Sequence, residues 1–242
     1  MSHSSHQAST PTKHSAGVFD IRMIIGLLLL IYGVIFVVEL MVPVVAERAR
    51  ETPWHRHHII ERYGLLNIIV LGEVLVSISL MFGKLYEGEF DLALVAAAAS
   101  GLVIVFCLWW LYFAESEHLE TTELGRALIW GYGHILVFAS GALVAAGLGA
   151  VMDAVTHHSH IDVVTAARWV NAPVAGYLFG LWLIRDRFLS GMLRRHVLLA
   201  AAIVVALFAV LGAPVWLCAL ALVTTVVLRT AVAERFAERS WE

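Results

Sequence analysis

The chain has 242 residues, of which 60% are hydrophobic and 14% charged, and its net charge is −3. Soluble domains are about 45–50% apolar and about 25% charged, so a soluble fold could not hide this much apolar surface; an all-α, polytopic bundle of transmembrane helices in contact with the lipid bilayer is expected. The small negative charge argues against a nucleic-acid partner, and Cys107 and Cys218, both inside apolar runs, resemble neither a disulfide framework nor a zinc motif.

Residues 1–20 are rich in Ser, Thr and His and read as a disordered polar tail. A single transmembrane domain is expected over 21–235, with a short tail at 236–242. The first apolar run is of spanning length and lacks a small-residue cleavage site, so it reads as an uncleaved anchor. A spanning helix needs about 20 apolar residues. The candidates are 23–45, 64–82, 92–114, 127–152, 164–184, 197–211 and 215–232. The fifth is the weakest, because Arg168, Asn171 and Pro173 fall in its first half. Gly212-Ala213-Pro214 separates the last two and predicts a tight turn. The alternative is one kinked helix, but the joined run is too long for one span. Seven spans are therefore favoured over six.

Basic residues orient these spans. Arg48, Arg50, Arg56 and Arg62 follow the first, Arg185, Arg187, Arg194 and Arg195 follow the fifth, and Arg229, Arg235 and Arg239 lie at the C-terminal end. The second and fourth connections carry only Lys84 and Arg168. The positive-inside rule then places the N-terminus outside and the C-terminus in the cytoplasm.

Polar residues inside apolar runs are the candidates for chemistry. Glu73 falls about 13 Å into the second span and His134 about 10 Å into the fourth, at 1.5 Å per residue. With Asn67, Tyr132 and Glu39 they are expected to line a polar pocket open to the cytoplasm. Acids and histidines at such depth are common parts of proton or cation pathways. The alternative is that they only join helices, with Glu73 protonated.

A second group lies at the inner face. His58 and Glu61 are three residues apart, as are Glu115 and His118, so each pair shares a helix side. Paired Glu/His motifs of this spacing hold di-metal sites in some bundles, which makes these four weak metal candidates; salt bridging with nearby arginines is the simpler reading. His157, His158, His160 and Asp162 form a polar loop. No phosphate-binding glycine loop, nucleophile elbow or H-E-x-x-H is present, and no cofactor is implied.

The segment H-x-x-E-R-x-G-L-x-x-I-x-x-L-G-E maps onto His58, Glu61, Arg62, Gly64, Leu65, Ile68, Leu71, Gly72 and Glu73. W-W-x-Y-F maps onto Trp109, Trp110, Tyr112 and Phe113, followed by Glu115, and Y-x-H onto Tyr132 and His134. In these motifs the chain resembles the bacterial low temperature requirement A proteins, over roughly residues 39–235. The E-x-F-F-D-L-type motif of an earlier helix is absent from this sequence, which points to a shortened member. The resemblance implies a bacterial cytoplasmic membrane and no settled biochemical activity. It also raises the need for a partner membrane subunit or a homo-oligomer. Three functions stay open: proton or cation translocation, a structural or lipid-interacting role in growth in the cold, and a metal-dependent membrane enzyme.

Overall fold

The computed structural model describes residues 14–49, 56–86, 91–114, 123–189 and 191–239. These residues form seven α-helices and one short 3₁₀ turn, without a strand among them. The helices are α1 (His14–Ala49), α2 (Arg56–Tyr86), α3 (Leu92–Phe113), α4 (Leu124–Val155), α5 (Val163–Ile184), α6 (Met192–Leu211) and α7 (Val215–Arg239), and the 3₁₀ turn is Asp186–Phe188. The chain divides into two units, Met1–Trp54 and His55–Glu242.

The first unit is α1. It begins at His14, earlier than the expected end of the polar tail; residues 1–13 of that tail lie outside the described residues. From Ile21 to Val45 its large apolar side chains are exposed around the whole circumference. A helix apolar all round suits lipid or a buried position and not water.

In the second unit the helices pack in a closed ring. α2 lies between α3 and α4, α4 packs on α5, α5 on α6, α6 on α7, and α7 returns to α3. The tightest seam is α4 against α5. A Cβ on Gly133 would meet Ile184, one on Gly176 would meet Ser140, one on Gly180 would meet Val137, and one on Gly147 would meet the backbone carbonyl of Trp169. These positions run in opposite directions along the two helices, so small residues let an antiparallel pair approach closely. A Cβ on Gly141 would meet Val70 and Tyr177, whereas one on Gly149 would meet nothing within 4 Å.

The connections obey local chemistry. Asp91 caps α3, accepting from the Ala93 amide at 2.7 Å, and Asp162 caps α5, accepting from the Thr165 amide at 2.9 Å and its hydroxyl at 2.8 Å. Gly212 ends α6 in the left-handed conformation at φ 70°, which glycine adopts without strain. The Ala213 carbonyl after it accepts from Asn171 Nδ2 of α5 at 2.8 Å. The Gly-Ala-Pro segment is thus a turn that separates α6 from α7, which gives seven helices among the described residues.

Among the described residues six helices are long and apolar enough to cross a membrane: all but α5. Arg168, Asn171 and Pro173 lower the hydropathy of α5. Asn171 and Tyr177 are fully buried between neighbouring helices, whereas Arg168 is exposed near the start of α5.

Candidate functional site

The buried polar groups of the ring gather mainly toward the end formed by the start of α2, the last turn of α3, the start of α4 and the ends of α5 and α7. On α2 the buried stripe is Gly64, Asn67, Leu71, Val74, Ile78 and Met81, spaced every three or four residues as a helix face requires. Asn67 is 0% exposed and accepts the Tyr177 hydroxyl hydrogen of α5 at 2.9 Å. Its Nδ2 has no partner among the described residues.

His134 is the centre of the next group. Its Nδ1 lies 2.6 Å from the Trp130 carbonyl one turn earlier in α4. A carbonyl can only accept, so Nδ1 carries the proton, and in the neutral ring Nε2 is left as an acceptor. Tyr112 Oη lies 3.1 Å from Nε2, so the phenol donates to it. Aromatic rings enclose the imidazole, with ring centres at 4.3 Å for Trp130, 4.7 Å for Tyr63 and 5.4 Å for Phe138.

Tyr112 also links this pair to a buried ion cluster. Arg185, at the C-terminus of α5, donates through Nη1 to the carbonyls of Leu111 at 3.0 Å and Tyr112 at 3.2 Å. Both carbonyls belong to the last turn of α3, where no intrahelical donor is available. Arg185 Nε donates to Asp186 Oδ1 at 2.9 Å. Arg229 of α7 grips the same carboxylate with both terminal nitrogens, Nη2 to Oδ1 at 3.0 Å and Nη1 to Oδ2. Asp186 is fully buried and both arginines nearly so.

The expected site residues thus separate. Asn67, Tyr112 and His134 are drawn into the interior. Tyr132 is half-buried. Glu73 is exposed on the opposite side of α2, in line with exposed Ile69, Val76 and Leu80, so within this unit it does not share a pocket with His134. The reason is azimuth: Glu73 directly precedes buried Val74, and one residue turns a helix by about 100°. Glu39 belongs to α1, the other unit, where it is exposed.

At the proposed inner face, His58 Nδ1 lies 3.8 Å from Glu61 Oε2, with side chains 73% and 59% exposed. Arg62 and Trp110 are exposed as well, while Glu115 and His118 lie outside the described residues. Among the described residues no three His, Cys, Asp or Glu side chains gather as a metal-binding set.

Sequence reasoning counted Arg185 and Arg229 only as orienting charges and passed over Tyr177 and Asp186. Arg185 and Asp186 look like ordinary loop charges. Arg229 carried the better signal, since it is an arginine inside the apolar run LALVTTVVLRTAVA, and such a charge demands a partner.

A family model described as bacterial low temperature requirement A protein matches residues 15–233. No curated protein and no solved structure matches the chain.

Proposed function

The chain belongs to the bacterial low temperature requirement A family, and from that premise we propose that this multi-pass membrane protein translocates protons, with the Tyr112–His134 pair as its proton-handling element. The observation that carries this reading is the 3.1 Å contact between the Tyr112 hydroxyl and His134 Nε2, buried in the helix ring. A histidine and a phenol in hydrogen-bond contact exchange a proton by a shift of the hydrogen alone. Asn67 and Tyr177 extend the polar path along α2 and α5, and Tyr132 lies on α4 near its start. Glu73 takes no step in this scheme. By the positive-inside rule the cluster faces the cytoplasm, in a bacterial cytoplasmic membrane.

The test is proton flux in liposomes holding the purified protein, run beside Tyr112→Phe and His134→Gln. The reading expects wild-type flux that disappears in variants that remain folded. Absence of wild-type flux under every imposed gradient would sink it.

A second reading, a purely structural bundle, is favoured by a separate observation: three of the cluster's side-chain links join different elements of the ring. Asn67–Tyr177 ties α2 to α5, Tyr112–His134 ties α3 to α4, and Arg229 ties α7 to the turn after α5. That reading expects no flux and a loss of stability in the same variants.

A further inference from the structure

The Arg185 guanidinium is only partly used. Nε goes to Asp186 and Nη1 to two neutral carbonyls. Nη2 is buried and has no hydrogen-bond partner among the described residues. The Arg185 side chain is 5% exposed, so the missing acceptor carries an energetic cost. Asp186 meets Arg185 only through Nε, and its carboxylate otherwise turns to Arg229. A cationic donor in this state calls for an anionic oxygen.

Two more guanidinium groups gather on the same short turn. Arg126, in the first turn of α4, lies 4.6 Å from the Phe188 ring centre, and Arg187 lies 5.1 Å from it. Both are half-buried, and neither makes an ion pair among the described residues.

The level of this cluster in the bundle is informative. It sits where α3 and α5 end and α4 begins, the depth at which spanning helices leave the hydrocarbon. Exposed Trp109 and Trp110 mark the same end of α3, as interfacial aromatics do. Basic pockets between helices at this level suit lipid phosphates, and the planar guanidinium fork matches a phosphate oxyanion.

We propose that Arg126, Arg185 and Arg187 form a binding site for a phosphate oxyanion, presented by the headgroup of an anionic phospholipid. Arg185 Nη2 donates to a phosphate oxygen. Arg126 and Arg187, held over Phe188, balance the charge. The site stands independently of proton translocation, since flux and phosphate binding are measured separately.

The experiment is a binding titration on the purified full-length protein in neutral detergent, with phosphatidylglycerol, phosphatidylcholine and inorganic phosphate as probes. Arg185→Gln breaks a buried ion cluster and risks misfolding, so the informative variant is Arg126→Gln with Arg187→Gln. Arg168→Gln, at the other end of α5, is the control. Phosphatidylglycerol is expected to bind at least about tenfold tighter than phosphatidylcholine, and the double variant to lose about fivefold per arginine. Inorganic phosphate binding as tightly as the lipid, with the same loss in the double variant, would keep the site and assign it to a free anion. Equal binding of the two lipids without phosphate binding, affinity retained in the double variant, or an equal loss in the Arg168 control would overturn it.

Discussion

Arg185 holds Tyr112 by its backbone: the guanidinium Nη1 donates to the Tyr112 carbonyl at 3.2 Å, while the hydroxyl of the same tyrosine reaches His134. The position of the phenol is thus fixed from both ends of one residue, by α5 and by α4. Tyr112→Phe keeps the carbonyl contact and removes only the hydroxyl. It leaves a buried acceptor on His134 without its donor, at a cost of about 1–3 kcal/mol. Unfolding in mixed micelles should show that loss. His134→Phe added to Tyr112→Phe should cost less than the two single losses summed, because the second change removes a group already left unpaired.

The ion cluster predicts an order of damage. Asp186→Ala leaves two buried arginines without their carboxylate, a loss of about 3–5 kcal/mol. Arg229→Gln leaves Asp186 still held by Arg185 and should cost less. The reverse order, measured by the same unfolding assay, would mean that Asp186 is not the hub of the cluster.

The α4–α5 seam offers a matched pair of glycines. Gly147→Ala drives a Cβ into the Trp169 carbonyl, a backbone contact that cannot rotate away, so about 1–3 kcal/mol is lost. Gly149→Ala meets nothing within 4 Å and gains helix propensity, so it should be neutral or stabilising by up to about 1 kcal/mol. Equal effects from the two would show that the helices do not approach at Gly147.

Asp162 gives a pH signature outside the membrane-spanning helices. Hydrogen bonds from the Thr165 amide and hydroxyl hold its carboxyl below the usual carboxylate value. A lowered folded-state pKa contributes stability above the unfolded value and loses it as pH falls through the folded one. Asp162→Ala should therefore melt below wild type at neutral pH, with the gap closing only at pH values below the ordinary carboxylate range. A gap that is constant into strong acid would assign the loss to something other than the charged cap.

The separation of legible from illegible features has a physical cause. Hydropathy and run length carry the spans, and Gly212 with Pro214 carries the turn that makes seven helices out of six runs. Asn67 and His134 were legible because a polar group in an apolar run needs a partner. Glu73 met the same criterion and yet faces outward. Spacing along a helix gives depth, but azimuth follows only when one face differs in composition from the other. On α2 both faces are Leu-, Ile- and Val-rich, so the buried stripe has no distinguishing pattern. Arg185 and Asp186 were hidden differently, since a loop charge and a buried charge look identical until the fold brings α7 beside them. Glu115 and His118 lie outside the described residues, and the inner-face pairing rests on the sequence alone.

Arg229 follows its partner Asp186 by 43 residues. At synthesis rates of about 5–20 residues per second, roughly two to nine seconds pass between the two leaving the ribosome. Throughout that interval the acid has only Arg185 to hold it, and the ring is open between α3 and α6. The arrival of α7 supplies the second guanidinium and closes the ring in one event. The ion cluster and the helix ring are therefore completed by the same element: a chain that stops before α7 lacks both the second guanidinium and the helix that joins α6 to α3.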